Sequence, residues 1–470
     1  MPNAPEPLSP EWWMHRLYGQ IVGRRPELEF FDDYYTGNHP LPWLAPQARD
    51  EFRRLVRMTR SNYMGLVCDA TAERLSIEGF RFGSDAQADD DAWRIWQSNN
   101  LDSDSDMAWL EALIGSVSYF HVAPNPDDPS TPHIWVEHAS QMCVEHEPGT
   151  NRRVRAAGLK VWDDDWTGDV HATLQLRADG GRIYKFKAKR PDGGLVGGSG
   201  LRWEERPVEG EQPNGQRMNP LGDVVSMVEI PNNPRLLSGG VSELYDLTDI
   251  QDRVNKTLFD RMQTQEFGVD PQKWSKAFPT EGKDGKPNVV EFGRNRMITT
   301  DVAETGFGNF AVAPLTPYSE AKREDVKDIA SRSRTPAQYL LGEMSNVNGE
   351  TLKASERGLI SKVRQRQRPF GEAAEEAMRL ARRAAGLSSD AEARMETLWT
   401  DPQYRTEGER TDAIVKRLQS GIASKRQARE DYGYTATEIE RLEADDLRAV
   451  EDPTLNRIAD GLLNANSLGA

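Results

Sequence analysis

The stretch SKVRQRQRPFGEAAEEAMRLARRAAG, residues 361–386, reads as helix at both ends and carries Pro369 in its middle. A proline there removes one backbone donor and drives its ring at the carbonyl of Gln365, so a helix passing through it must bend or stop. Just before it stand four cations spaced two apart, Lys362, Arg364, Arg366 and Arg368. Steps of two turn about 200° on a helix and split the four between opposite faces. One pair can then meet acids of a neighbouring subunit while the other meets something else. A solvated, salt-bridged helix is the plainer reading, and contact with phosphate the most demanding one. From Glu350 to Ala385 a straight helix would span ~54 Å, several times the length of an ordinary helix.

Upstream, SPEWWMHRLYGQIVGRR starts a helix with Ser9 and Pro10 in cap and first-turn order, then presents Trp12, Leu17 and Ile21 at helical spacing. Apolar residues from Phe52 to Ala70 recur at three and four, predicting a helix over about 48–74, and Gly79 sits in a strand-like ERLSIEGFRF. Two more helical pieces joined by a polar turn follow in DDDAWRIWQSNNLDSDSDMAWLEALIG. The period then changes. RRVRAAGLKVW, VHATLQLR, RIYKFKA and VVSMVEIP are β-branched and aromatic runs separated by Gly, Asp and Pro clusters, which predicts antiparallel strands.

A helix is expected from Ser242, with Leu244, Leu247, Ile250, Val254, Leu258 and Met262 on one stripe. Residues 268–316 lose that pattern and carry brief strand-like runs, NVVEF and FAVAPL, so they read as a small subdomain inserted between two helices. YSEAKREDVKDIASRSR is the second helix, ended by Pro336, and LLGEMSNVNG is a polar loop leading into the long helix. The last eighty or so residues are helical again, with Gly421 past one helix, Ser424 capping the next, and Thr437 and Glu440 at capping-box spacing.

At about 100–200 residues per domain, 470 residues predict two to four packed units. With 37% apolar and 29% charged residues the chain has more surface than one compact enzyme of this length needs, which suits an elongated or assembled subunit. The net charge of −16 argues against a whole-surface grip on nucleic acid but allows a protein past which DNA slides. Two distant cysteines, Cys68 and Cys143, cannot make a disulfide framework and suit a reducing compartment as buried thiols. The N-terminus lacks a basic segment followed by an apolar run, and no window approaches about eighteen apolar residues. A cytosolic protein without a membrane anchor is expected.

No P-loop, dinucleotide fingerprint, HExxH or GxSxG occurs. Asp102–Asp106 resembles the start of a calcium loop, but Met107 and Leu113 stand where Gly and Glu belong, so a solvated turn is the simpler reading. His138, Cys143 and His146 could ligate a soft metal, yet the spacing fits no closed tetrahedral pattern and a fourth ligand is missing. WDDDW, residues 162–166, reads as a charged hairpin tip.

The ordered set YYTGNHPLPW, SNYMGLVCDATAERLSIEGFRF, IWQSNNLD, the strands, SELYDLTDIQDRVNKTLFDRMQTQEF and TPAQYLLGEMSNVNGETLKASERGLISKVRQRQRPF resembles the portal proteins of tailed bacteriophages, the head-to-tail connectors. The likeness runs from about residue 10 to about residue 445. It implies an α+β multi-domain portal fold, mostly helical, with an antiparallel β wing region, paired stem helices and one long kinked helix. Residues 1–241 would be the wing, 242–267 the first stem helix, 268–316 the clip, 317–334 the second stem helix, 335–349 the tunnel-loop region, 350–386 the long kinked helix and 387–470 the crown and tail.

The resemblance further implies a ring of about twelve identical subunits around a channel, placed at one capsid vertex of the virion after assembly in the host cytoplasm. Implied partners are double-stranded DNA held without sequence specificity, the terminase large subunit, the head-completion adaptor, and the major capsid and scaffolding proteins. No cofactor, catalysis or membrane contact is implied. Glu343, Met344, Ser345, Asn346, Val347 and Asn348 would form the tunnel loop against DNA, Lys327, Arg332 and Arg334 would line the stem channel, and Pro369 would kink the long helix between wing and channel. Many relatives carry Ser-Gly before that helix, where Asn348 and Gly349 stand here. The chief rival reading is a cytosolic metal-dependent hydrolase built on the carboxylates near Asp102 or Asp163; a helical scaffold without a channel is the other.

Overall fold

The computed structural model describes residues 5–40, 42, 56–82, 89–150, 152–189, 201–206, 217–269, 271, 273–277, 281, 304–342, 349–387, 395–403, 407–434 and 436–451. The chain divides into two compact units, one ending at Pro402 and one beginning at Gln403. It is an α+β protein in which the strands among the described residues all pair antiparallel.

In the first unit α1 (Pro10–Thr36) starts where expected: the Ser9 hydroxyl accepts the Trp12 N–H at 3.2 Å. Pro26 lies inside without ending it, and Gly37 closes it at φ 80°. Its N-terminal half packs Trp13, Met14, Leu17, Tyr18 and Ile21 against a sheet, while Phe31 and Tyr34 join a helical core further along. One helix thus fastens two cores together.

The helix expected over 48–74 is not continuous. Val56–Met58 are helical, Thr59–Tyr63 are not, and α2 (Met64–Ala72) begins afresh; residues 51–55 lie outside the described set. The interruption has a tertiary cause. The Ser61 and Tyr63 N–H groups donate to Asn255 Oδ1 at 2.9 Å and Gln251 Oε1 at 3.0 Å, partners some 190 residues away that periodicity cannot register.

β1 (Ile77–Phe82) follows, with Gly79 at a register shift, then α3 (Asp90–Ser98), capped by Asp89, and α4 (Leu101–Gly115). Next come β2 (Val117–Ala123), β3 (His133–Glu137), β4 (Met142–His146), β5 (Arg155–Asp164), β6 (Asp169–Leu176), β7 (Arg182–Lys189), β8 (Glu204–Glu205), β9 (Arg217–Met218) and β10 (Met227–Pro231). Strands β4 to β8 form one sheet in sequence order, with β9 also pairing β7. VVSMVEIP does not join its three fellow runs: β10 pairs β2 in a second sheet of order β10-β2-β3. The two sheets are stitched by Gln175, which accepts the Ser226 N–H at 2.8 Å and donates to the Ser226 hydroxyl at 3.0 Å.

The remaining elements of this unit are α5 (Thr248–Val269), β11 (Lys273–Lys276), β12 (Gly306–Asn309), α6 (Thr316–Ser333), α7 (Ala337–Leu341), α8 (Gly349–Ala384) and β13 (Met395–Trp399). β11 pairs β12, and β13 returns to pair β1. FAVAPL, expected as a strand, is irregular; the strand lies just before it, and NVVEF falls outside the described residues. The main core gathers β1, β2, β10, β13, α3, α4 and α8 around Trp96, Trp109, Phe120 and Phe370.

The second unit comprises α9 (Glu407–Gln419), α10 (Lys425–Tyr432) and α11 (Ala436–Glu451). Gly421 turns the chain at φ 70°, and the Ser424 hydroxyl accepts the Gln427 N–H at 3.1 Å, as the cap spacing predicts. Arg426 with Glu443 at 3.1 Å and Arg429 with Asp446 at 2.8 Å tie α10 to α11. α11 begins at Ala436, one residue ahead of Thr437 rather than after it. The unit begins at Gln403, after β13, which pairs β1.

Candidate functional site

Helices α5 and α6 pack along one another and bury Ile250, Val254, Val326, Ile329 and Ala330 in a core shared with Tyr63, Met64 and Val67. α5 starts at Thr248, not Ser242. The residues before it are held differently: the Ser242 hydroxyl accepts the Leu244 N–H at 3.1 Å, and the Glu243 N–H donates to the Leu113 carbonyl at 2.9 Å. Leu244 and Leu247 are buried nonetheless, so the apolar stripe was legible although the helix boundary was not.

Across the pair Arg253 reaches Asp325 at 2.8 Å and Asp328 at 3.0 Å. Below, α5 is anchored by two buried amides one turn apart, Gln251 and Asn255. Besides the two N–H groups already described, Gln251 donates to the Ser61 carbonyl and Asn255 meets His39 Nε2 at 2.5 Å. Burial lowers the His39 pKa, with Arg60 adding to it; the neutral ring suits accepting the Asn255 amide. Asp252 accepts the Tyr34 hydroxyl at 3.0 Å, and burial, followed by Asp252, keeps that phenol protonated well above its ordinary range.

A second anchor holds α8. Arg366 Nε donates to Glu243 Oε1 at 2.7 Å, Lys362 Nζ stands 3.7 Å from Glu243 Oε2, and all three side chains are buried. Asn232 Nδ2 also donates to Glu243 at 3.2 Å, and Arg366 Nη1 donates to Asn233 at 3.2 Å. Burial alone would raise the Glu243 pKa; Lys362 and Arg366 outweigh it and hold the carboxyl below its ordinary value. The four-cation row does split between two faces, but the inner pair meets an acid of its own chain rather than a neighbour's. Of the outer pair, Arg364 lies 3.6 Å from Asp401 and Arg368 is exposed. The i, i+4 relation of Lys362 and Arg366 was the available signal; nothing local marks Glu243 as their counter-charge.

A third cluster, Arg74, Tyr339 and Glu356, joins α7 to α8. Tyr339 donates its hydroxyl to Glu356, Arg74 Nη2 donates to the Tyr339 oxygen at 3.0 Å, and Gln338 donates to the Ser355 hydroxyl at 2.8 Å.

The other chemistry-bearing stretches do not converge. Asp102–Asp106 occupies the first turns of α4, where carboxylates complement the helix dipole, not a turn. His138 faces Glu111 at 3.2 Å, the buried Cys143 thiol lies 3.0 Å from Gln20 Oε1, and His146 lies 3.5 Å from Glu229. Among the described residues no three His, Cys, Asp or Glu side chains are grouped so as to hold a metal ion. WDDDW is a hairpin tip, with Asp164 accepting the Trp166 N–H at 2.9 Å. Cys68 and Cys143 are both buried thiols, and among the described residues no helix is long and apolar enough to cross a membrane.

Residues 16–452 match the family described as phage portal protein, SPP1 Gp6-like. The chain belongs to that portal family. Two relatives, the portal proteins of Mycobacterium phages D29 and L5, are each 30% identical over 397 residues, covering 81% of this chain and 77% of theirs. Among solved structures, a chain from the neck of an empty GTA particle, computed with C6 symmetry, is 13% identical with a TM-score of 0.43 and covers 84% of this chain and 95% of itself. One from the neck of a native GTA particle, computed with C12 symmetry, is 11% identical with a TM-score of 0.39 over the same shares.

The residues expected to line a portal channel lie as follows. Lys327 is exposed on α6 and pairs with Glu324 at 2.7 Å. Arg332 borders a cleft of about 470 Å³ with Tyr245, Asp246, Asp249, Ile250 and Arg253. Arg334 follows α6 at φ 57°, so the helix ends in a left-handed residue two positions before Pro336, which instead leads into α7. Pro369 lies inside α8, which runs through it without ending; Phe370 beside it stacks on Trp109 at 5.1 Å, and Gly371 abuts Trp399. Glu343, Met344, Ser345, Asn346, Val347 and Asn348 lie outside the described residues.

Proposed function

We propose that this portal-family chain closes into a ring of about twelve copies at one capsid vertex, through which double-stranded DNA enters during packaging and leaves during ejection. Membership of the portal family over residues 16–452 carries the reading. In it, residues 1–241 form the wing, α5 and α6 the stem, 268–316 a clip that receives the terminase large subunit and later the head-completion adaptor, and 387–470 the crown. Major capsid and scaffolding proteins surround the ring. No chemical step is assigned to the chain.

The physics of a conduit supports this division. DNA that must move cannot be gripped, so a channel should release as few counterions as possible. The exposed cations on the stem are interleaved with acids, Arg253 with Asp325 and Asp328 and Lys327 with Glu324, which cuts the net positive charge a phosphate would meet. Ser345, Asn346 and Asn348 offer small polar side chains that would meet the DNA backbone weakly without reading bases. Long α8, turned at Pro369, serves wing and channel with one continuous helix. The test is a packaging reaction reconstituted with proheads carrying this protein and a chain lacking Ser345–Asn348. Rings that assemble but fail to package or retain DNA support the assignment; loss of assembly shows that the loop has been misplaced.

A further inference from the structure

Between β10 and Glu243 the chain throws out a loop, residues 233–240, with a closed neck. The Val241 N–H donates to the Asn232 carbonyl at 2.8 Å, Asn232 Nδ2 donates back to the Val241 carbonyl at 2.6 Å, and the Asn232 N–H donates to the Ser116 carbonyl at 2.9 Å. Asn233, at φ 46°, is gripped by Arg366. Gly240 leaves no room for a side chain, since a Cβ there would lie 1.9 Å from the Ser116 carbonyl oxygen. The neck therefore rests on the buried Glu243, Lys362 and Arg366 cluster. At the tip, Leu236 is 83% and Leu237 103% exposed.

Single exposed leucines are ordinary. Two in succession on a base with this many fixed contacts form a pre-organised apolar projection, which loses little freedom when it docks. Charge says what covers it. The loop NPRLLSGG holds Arg235 and no acid, on a chain of net charge −16, so it is complementary to the surface of an identical chain. Phosphate recognition would need clustered cations instead of leucines. We propose that residues 233–240 are an inter-subunit prong whose Leu236–Leu237 tip buries in the next copy around the ring, an inference that rests on the ring reading above. A one-directional contact of this kind gives every copy a prong and a recess, as ring closure requires.

The experiment compares the full chain with the double variant Leu236→Asp, Leu237→Asp and its conservative counterpart Leu236→Met, Leu237→Met, by native mass and sedimentation, with circular dichroism to follow folding. Wild type and the Met variant should form rings, while the Asp variant stays folded and needs at least about tenfold more protein to assemble, the loss expected when two apolar anchors are replaced by charge. Asp-variant rings at the wild-type concentration overturn the prong and leave the ring reading standing; a wild type that stays single overturns both. Should the Asp variant not fold, Leu237→Cys labelled with a benzophenone decides, because both native thiols are buried. Irradiation should link one chain to another. Adducts confined within single chains, or formed only with added DNA or vesicles, overturn the proposal.

Discussion

Arg366 on α8 and Glu243 ahead of α5, 123 residues apart in sequence, meet in a buried ion pair with Nε donating to Oε1 at 2.7 Å and both side chains 7% exposed. Lys362 completes the cluster, so one carboxylate serves two buried cations. Glu243→Gln leaves both without a counter-charge and should cost about 3–5 kcal/mol. Denaturant unfolding followed by tryptophan fluorescence checks this; a loss under about 1 kcal/mol would mean that water or another acid already compensates the pair.

The same pair has an acid signature. Lys362 and Arg366 hold the Glu243 pKa below its unfolded value, so this stabilisation is complete above about pH 4.5 and disappears as pH falls through the lower folded value. Buried histidines act at a higher pH. Burial, with a contribution from Lys160, drops His121 to about 3, and burial, with Arg152 and Arg155, drops His146 to about 4. Both fold as neutral rings, so their contribution is full above about pH 6.5 and is lost as pH falls toward those values. The melting temperature should therefore decline from pH 7 to pH 5, and His121→Phe should flatten that decline. An unchanged slope in the variant would remove His121 from the account.

Gln251 and Asn255 satisfy the Ser61 and Tyr63 backbone where the expected helix over 48–74 is interrupted. Asn255→Ala removes the acceptor of the part-buried Ser61 N–H and should destabilise by about 1 kcal/mol. Hydrogen exchange at Ser61 is the direct readout: its amide should exchange faster in the variant, and equal protection would show that the bond does not hold this segment.

Much of this was legible in sequence where the signal is local. The Ser9 cap, the α3–α4 pair, the hairpin tip at Asp164, the apolar stripe from Leu244 to Val254 and the length of α8 all follow from periodicity and turn chemistry. What escaped depends on partners far along the chain. Gln251 and Asn255 cut one expected helix, Ser242 and Leu113 delay the start of another, β2 takes β10 into the second sheet, and Glu243 claims cations that looked available to a neighbour. The residues expected at the channel rest on the resemblance; of these the structure describes Lys327, Arg332, Arg334 and Pro369.

Pro369 is followed by two packed residues, Phe370 against Trp109 and Gly371 against Trp399. On the proposal that α8 turns at Pro369, Pro369→Ala restores a backbone donor and should let the helix straighten. The expected phenotype is assembled rings with reduced DNA retention, read by nuclease protection of packaged DNA. Normal retention in normal rings would make the proline dispensable.

Tyr339, Glu356 and Arg74 join the flanks of residues 343–348. Tyr339→Phe removes the donor to Glu356 while keeping the ring's bulk, and should cost about 1 kcal/mol in stability. Packaging rate should fall by more than assembly does. Equal losses in both would mark the cluster as merely structural.

In the proposed ring, this chain closes on copies of itself around a hole. Purified protein should sediment as a particle of roughly 0.6 MDa, about twelve chains of 52.9 kDa, and images down its axis should show a ring with a channel wide enough for a duplex. Single chains of 52.9 kDa at every concentration, or closed particles without an axial opening, would contradict it.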